Sequence, residues 1–138
     1  MSNDWVKDIN DMHVKFGVHD WVDKNLDNKE LMSKFLKFRM AFLEEELAET
    51  QKAVNEDKDP DEIVDGLIDL CVVAIGTLDA FGVNSYRAWN RVHTANMAKT
   101  PGEKKERPNP LGLPDLIKPE GWEAPTHVDN IGNITNAL

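Results

Sequence analysis

The chain has 138 residues, of which 41% are hydrophobic, and a formal net charge of −9. This length fits one domain that can bury a core without disulfides or structural zinc. The acidic balance disfavours a nucleic-acid binder, which needs a basic face. No apolar run reaches the ~18 residues that span a bilayer, and the N-terminal segment lacks an apolar signal core. These features predict a cytoplasmic protein without nucleic-acid or membrane partners.

Helical spacing of apolar side chains predicts a first helix over residues 3–16. Residues 17–28 are interpreted as a loop. A long second helix is predicted over residues 29–54, because its apolar side chains share one face and no glycine or proline interrupts it. Asp27 or Asn28 can cap its start.

The segment Asp59-Pro60-Asp61-Glu62 is a typical helix start, with an N-cap residue, a proline at the first helical position and a glutamate three residues after the cap. It predicts a third helix that runs to Phe81 and stops at Gly82. The middle of this helix, residues 66–78, is apolar almost all round, which predicts burial on most sides.

A fourth helix is predicted over residues 85–97, and five of the seven prolines lie between Pro101 and Pro119. We therefore predict an all-α bundle of four to five helices, with a helical catalytic domain over residues 1–100. An irregular, Pro-rich tail over residues 101–138 is expected to pack on the same domain. So much apolar helix surface favours a bundle that is completed by a second copy of the chain.

Carboxylates interrupt two apolar helix faces. On the second helix, one stripe comprises Phe35, Phe38, Phe42, Glu46, Glu49 and Ala53. On the third helix, Glu62, Asp65 and Asp69 share a stripe, and no basic residue occurs between Lys58 and Arg87. Buried carboxylates are costly unless they are neutralised. The pattern therefore indicates a bound divalent cation, and magnesium prefers such hard oxygen ligands.

Simpler interpretations remain open for each group of acids. A run of glutamates is usually a solvated helix face, and acids near a helix start stabilise its N-terminus. A calcium loop fits poorly: Asp57, Asp59 and Asp61 alternate, but Glu62 stands where the loop needs glycine and Ile68 where it needs glutamate. A helical module that binds a partner protein, or a cation-binding protein without catalysis, would also carry this pattern.

Other chemistries find little support. The sequence has no Gly-rich phosphate loop, no HExxH and no CxxC. Cys71 lies in an apolar run and is interpreted as a buried, inert thiol. Four scattered histidines are interpreted as surface or packing residues rather than zinc ligands: His13, His19, His93 and His127.

Two glutamate-rich blocks resemble a known metal motif. The pattern E-E-x-x-E, twelve residues and E-x-x-D is similar to that of the all-α nucleoside triphosphate pyrophosphohydrolases, which include MazG-like proteins, dimeric dUTPases and phosphoribosyl-ATP pyrophosphohydrolase. The acids of the motif are Glu45, Glu46, Glu49, Glu62 and Asp65. Residues 91–99 resemble the H-x-x-N-M-x-K segment of the MazG-like group, and residues 118–125 its K-x-x-G-aromatic-x-x-P tail. The resemblance covers roughly residues 10–128.

This resemblance implies Mg²⁺-dependent hydrolysis of a nucleotide between its α- and β-phosphates, with Mn²⁺ as a substitute. The five motif acids would hold the metal, and Glu46 is the one expected to orient or deprotonate the attacking water. Asp69 would be an outer-sphere partner or an extra ligand. The products would be a nucleoside monophosphate and pyrophosphate.

The resemblance also implies a homodimer or a dimer of dimers. Asn96 and Lys99 would contact the nucleotide or its phosphates, and Lys118 is a further candidate cation for the leaving pyrophosphate. Trp122 is expected to pin the tail rather than stack on a base. No residue settles the base, but the N-M-x-K segment favours a MazG-like enzyme that cleans or recycles deoxynucleotides over the phosphoribosyl-ATP branch.

Overall fold

A computed structural model describes residues 1–104, 106, 111–112 and 115–138. The α-helices found within these residues are α1 (Trp5–Lys15), α2 (Val18–Asn25), α3 (Lys29–Lys52), α4 (Pro60–Ala80) and α5 (Ser85–Met97). The described structure also contains a π-helical turn, Ala53–Asp57, one antiparallel pair, β1 (Thr100–Gly102) with β2 (Asp115–Ile117), and a 3-10 turn, Ile134–Ala137. The all-α class predicted from the sequence is confirmed. None of these helices is long and apolar enough to cross a membrane.

The predicted loop over residues 17–28 is wrong, because Val18–Asn25 forms α2. Gly17 adopts a left-handed conformation, with φ of +74°, which ends α1 and lets a new helix begin at the next residue. Val22 is 1% exposed and packs with Met32 and Phe81 in the core. Val18 and Leu26 pack against the same core, so one face of α2 is apolar and buried.

The starts of α3 and α4 are set by side-chain caps. Asn28 Oδ1 accepts a hydrogen bond from the backbone N–H of Leu31 at the start of α3. Asp59 Oδ1 accepts from the N–H groups of Asp61 and Glu62, with Pro60 as the first residue of α4. Each cap satisfies donors that a helix start would otherwise leave free. The predicted start of the third helix is confirmed.

The end of α3 differs from an ordinary helix. The sequence predicts an α-helix over residues 29–54, whereas α3 ends at Lys52. The chain then continues as a π-helical turn, Ala53–Asp57. Lys58 then adopts a positive φ of +53°, and the N–H of Asp59 donates to the carbonyl of Ala53. This turn reverses the chain so that α4 packs back along α3.

The α3–α4 pair forms the centre of one compact unit. Contacts of Arg39 with Thr77 near one end, and of Thr50 with Gly66 near the other, show that the two helices run antiparallel. A Cβ atom on Gly66 would overlap Thr50 Oγ1, so the absence of a side chain permits this close approach. The approach fixes which residues of the two helices face each other.

By its internal contacts the chain divides into two units, Met1–Ser85 with Ile131–Leu138, and Tyr86–Asn130. The predicted boundary at residue 100 stays a prediction. In the second unit, residues 100–102 and 115–117 form the short sheet, so the tail predicted to be irregular from residue 101 contains strand residues. The sequence did not reveal these strands, because three residues are too few to show an alternating pattern. The tail prediction at residues 105, 107–110 and 113–114 lies outside the described residues.

The burial predicted for α4 is incomplete in a single chain. One side of α4 packs on α1 and α3, but Val64, Leu67 and Ile68 are 62%, 53% and 44% exposed. Within residues 66–78 the exposed residues are Leu67, Ile68 and Ala74, and the others are buried or half-buried, so the predicted burial on most sides is confirmed apart from this exposed strip.

Candidate functional site

The predicted acids lie along the α3–α4 pair. The interface between α3 and α4 is called the seam below. Burial raises the pKa of the half-buried Glu46 carboxyl, and neighbouring negative charges raise it further. Those charges belong to Asp69, Glu49, Glu45 and Asp65, in decreasing order of effect. Carboxylates from both helices therefore act on the same site, as the two stripes in the sequence predict.

The acids do not converge on a single point. Within the described part of the chain, no three of the predicted carboxylates bring ligand atoms within 4.8 Å of one another. Glu62 lies at the first turn of α4, one turn before Asp65, and its charge is not among those that raise the pKa of Glu46. Repulsion between like charges favours this separation.

The carboxylates of this site are available to bind a cation. Among the described residues, no Lys, Arg or His nitrogen lies within 4.0 Å of them, and their oxygens accept no recorded side-chain or backbone hydrogen bond. The nearest lysine along α3, Lys52, pairs with Asp57 instead. A set of free, hard oxygen donors is the kind of site that Mg²⁺ prefers, so these residues fit the metal that the motif implies.

One cation on the same seam was missed by the sequence reasoning. Arg39 donates from Nε to Thr77 Oγ1 and from Nη2 to the carbonyl of Val73, both at 3.0 Å. Burial lowers the pKa of its guanidinium, and no described carboxylate lies within 4.0 Å of it. Its place on the stripe of Phe42 and Glu46, seven residues before the glutamate, was the available signal.

In the second unit, the two predicted substrate lysines are far apart in sequence but lie around one side chain. Lys99 Nζ and Lys118 Nζ lie 5.3 and 5.1 Å from the ring centroid of Trp122. Trp122 Nε1 donates to the carbonyl of Ala95 at 2.7 Å. Trp122 thus anchors the tail to α5, which is the role the sequence favoured. Asn96 is exposed near the end of α5.

A second polar cluster was also missed. His13 Nδ1 and His19 Nε2 both donate to Asp79 Oδ2, at 2.8 and 2.7 Å, and Asn10 Nδ2 donates to Asp79 Oδ1 at 2.9 Å. Burial of Asp79 favours its neutral form, but the hydrogen bonds from Asn10 and the two histidines outweigh it and lower the pKa of the carboxyl. Asp79 lies at least 60 residues from Asn10, His13 and His19 in the sequence, so no local pattern could reveal the cluster.

The sequence model of the phosphoribosyl-ATP pyrophosphohydrolase family matches residues 20–96, more than half of the chain. The chain belongs to this family. The phosphoribosyl-ATP pyrophosphohydrolase family is part of the MazG-like, all-α nucleoside triphosphate pyrophosphohydrolase superfamily, so the predicted superfamily is confirmed. Comparisons with curated proteins and with solved structures returned no significant match.

The matched segment contains the acidic face of α3 and α4, which comprises Glu45, Glu46, Glu49, Glu62, Asp65 and Asp69. The match also identifies the type of reaction. Residues 20–96 include all of α3 and α4, and therefore every predicted metal ligand, together with Asn96. Lys99 and Lys118 lie beyond the matched segment. Membership of the phosphoribosyl-ATP pyrophosphohydrolase family indicates a pyrophosphohydrolase, an enzyme that cleaves a nucleotide with release of pyrophosphate.

Proposed function

We propose that this protein hydrolyses nucleoside triphosphates between the α- and β-phosphates in a reaction that depends on Mg²⁺, with Mn²⁺ as a substitute. The observation that carries the proposal is the acidic face of α3 and α4. Its carboxylates have no recorded protein partner among the described residues and lie inside the segment that matches a pyrophosphohydrolase family. A triphosphate is highly anionic, so an acidic face can receive it only together with cations.

Each acid has a proposed role. The metal ligands are Glu45, Glu46, Glu49, Glu62 and Asp65. Bound magnesium would neutralise phosphate charge and favour departure of pyrophosphate. Asp69, whose charge acts on Glu46, would be an outer-sphere partner or an extra ligand.

Glu46 is also the proposed base. The oxygen of water attacks the α-phosphorus, and the bond from that phosphorus to the bridging oxygen of the β-phosphate breaks. Pyrophosphate leaves with the electron pair, and the water proton passes to the Glu46 carboxylate. A general base needs to lie within hydrogen-bond reach of its water and to hold a proton transiently. The half-buried position of Glu46 between the acids of both helices suits this role.

The proposed substrates are deoxynucleoside triphosphates, and the proposed role is to clean or recycle the nucleotide pool in the cytoplasm. Phosphoribosyl-ATP is the second candidate, because the matching family carries that name. Both substrates are cleaved at the same kind of α–β phosphate bond, so the acidic face serves either. The choice depends on the part of the nucleotide beyond the triphosphate.

The decisive experiment measures pyrophosphate and monophosphate release from a panel of dNTPs, NTPs and phosphoribosyl-ATP, with magnesium, with manganese and with EDTA. We expect metal-dependent release that is strongest with a dNTP. Preference for phosphoribosyl-ATP would replace the proposed substrate but keep the reaction. A folded protein that binds magnesium and releases no pyrophosphate from any of them would refute the proposal.

Substitutions in the acidic face test the ligand assignment. Glu49→Gln and Asp65→Asn should each lower kcat by ~10²–10³-fold, because each removes a charge that holds the metal. Without magnesium the melting temperature should stay equal or rise, since one of several repelling charges is gone. Glu44→Gln, an exposed neighbour on α3 outside the motif, is the matched control. Full activity in both test variants would contradict the assignment.

The lysine pair around Trp122 is proposed to bind the substrate phosphates, with Asn96 contacting the nucleotide. Lys118→Met should lower kcat/KM by ~10-fold, the loss expected for one hydrogen bond to a charged group. Lys118→Arg should recover most of the activity, because it keeps the charge and the contact with the ring. Equal kcat/KM for Lys118→Met and the wild type, at unchanged melting temperature, would remove Lys118 from the substrate site.

A further inference from the structure

The histidine cluster, defined as His13, His19 and Asp79, brings three potential metal ligands together from three helices. Their ligand atoms all lie within 4.8 Å of one another. One nitrogen of each imidazole ring points at Asp79 Oδ2, and the two rings are nearly perpendicular, at 84°, with centroids 6.0 Å apart. Among the described residues, this is the one group of three His, Cys, Asp or Glu side chains that meets this distance.

The surroundings of the cluster resemble those of a metal site. The side chains of His13 and Asp79 are 6% and 11% exposed, whereas that of His19 is 30% exposed and gives a path to solvent. Asn10 Nδ2 holds the second oxygen of Asp79 at 2.9 Å. Ligating carboxylates are commonly held by such an outer hydrogen bond, which fixes their orientation. A path to water also leaves room for a solvent ligand.

The donor set selects the class of metal. Two imidazole nitrogens and one carboxylate oxygen suit Zn²⁺, often with water in a fourth position, whereas Mg²⁺ and Ca²⁺ prefer oxygen ligands alone. We propose that His13, His19 and Asp79 bind a zinc-class transition-metal ion that links α1 and α2 to α4, at a site separate from the acidic face. The proposal does not depend on the nucleotide reaction.

Metal entry requires only small rearrangement. The present distances of 2.7 and 2.8 Å from Asp79 Oδ2 to the two rings are hydrogen-bond lengths. Zinc–ligand bonds of ~2.0–2.1 Å in a tetrahedral site need ligand atoms a little over ~3 Å apart. The ligating nitrogens would be those that now donate to Asp79, Nδ1 of His13 and Nε2 of His19, so metal binding requires each of them to give up its proton.

Zinc and cobalt titrations of the metal-stripped full chain, in excess magnesium, test the site. We expect one zinc per chain by elemental analysis, visible absorption from bound cobalt, and a melting temperature that rises with zinc concentration. His19→Gln, chosen because this side chain is partly exposed, removes a ligand and should weaken zinc binding by more than the ~10–100-fold that loss of an outer-shell partner costs. His93→Gln, an exposed histidine on α5, and Glu49→Gln on the acidic face should leave zinc binding unchanged.

Three outcomes would overturn the proposal. A folded wild-type chain that binds no zinc would show that the cluster is a hydrogen-bonded link between helices only. Zinc binding of equal strength in His19→Gln and the wild type would place the ion elsewhere. Loss of binding in Glu49→Gln but not in His19→Gln would assign the zinc to the acidic face. Circular dichroism of each variant separates loss of the site from loss of the fold.

Discussion

Arg91 and Asp129 form a two-point ion pair within the second unit. Both guanidinium Nη atoms donate to the Asp129 carboxylate, and Arg91 Nη1 also donates to the carbonyl of Thr126 at 3.1 Å. The hydrogen bonds from Arg91 are the main reason that the pKa of Asp129 falls to about 2. The pair joins α5 to the segment that follows Trp122.

The contribution of the Arg91–Asp129 pair to the stability of the fold is lost at low pH. The pKa of Asp129 in the folded chain lies below its ordinary value of 3.8. The pair therefore stabilises the fold fully at pH values above 3.8. This contribution is lost as the pH falls toward 2. We expect an NMR titration to give a pKa near 2 for Asp129, and a return to the ordinary range in Arg91→Gln. Arg87→Gln should change the pKa of Asp129 less, because the positive charge of Arg87 has the smallest effect on that pKa. An ordinary pKa in the wild type would show that the pair does not persist in solution.

At the scale of elements, the α3–α4 seam controls the acidic face. Thr50 Oγ1 donates to the carbonyl of Glu46 at 2.7 Å and faces the bare backbone of Gly66. This contact lies one turn beyond Glu46 on α3 and next to Asp65 on α4. A change in the separation of the helices here would move the carboxylates of both.

Gly66→Ala is expected to destabilise the fold by ~1–3 kcal/mol. The new Cβ would overlap Thr50 Oγ1 and lie 3.1 Å from Thr50 Cβ, and overpacking of this kind outweighs the gain in helix propensity. Chemical denaturation measures the loss. The double variant Gly66→Ala/Thr50→Ala should recover part of it, because the overlapping oxygen is removed. A single variant as stable as the wild type would mean that α3 and α4 separate easily at this point.

Helix ends that depend on neighbouring residues could be predicted from the sequence. A helix that is stabilised by contacts with residues distant in sequence could not. The cap at Asp59 and the stop at Gly82 can be read directly from the sequence. The helix Val18–Asn25 could not, because its stability comes from packing of Val22 in the core rather than from its eight residues alone. The acidic face was visible as two stripes, since ligands on helices repeat at helical spacing. His13, His19 and Asp79 meet only through the packing of three helices.

At the scale of the whole molecule, the uncovered side of α4 supports the proposed homodimer. Val64, Leu67 and Ile68 are apolar and adjacent on the helix surface, and each is more than 40% exposed in the single chain. Contiguous apolar patches of this kind commonly mark interaction surfaces. Because this side neighbours the acids of α4, a second copy packed there would also restrict solvent around the proposed metal site.

Sedimentation of the 15.6 kDa chain tests this assembly. We expect the wild type to sediment as a dimer or as a dimer of dimers. The double variant Val64→Asn/Leu67→Asn should raise the dissociation constant by ~100-fold or more, because burial of each apolar side chain contributes ~1.5–3 kcal/mol. Asparagine avoids an added charge beside Asp65. Val14→Asn is the matched control, since Val14 and Val64 are both 62% exposed but lie on different helices. A monomeric wild type, or a double variant that dimerises as tightly as the wild type, would refute pairing through α4.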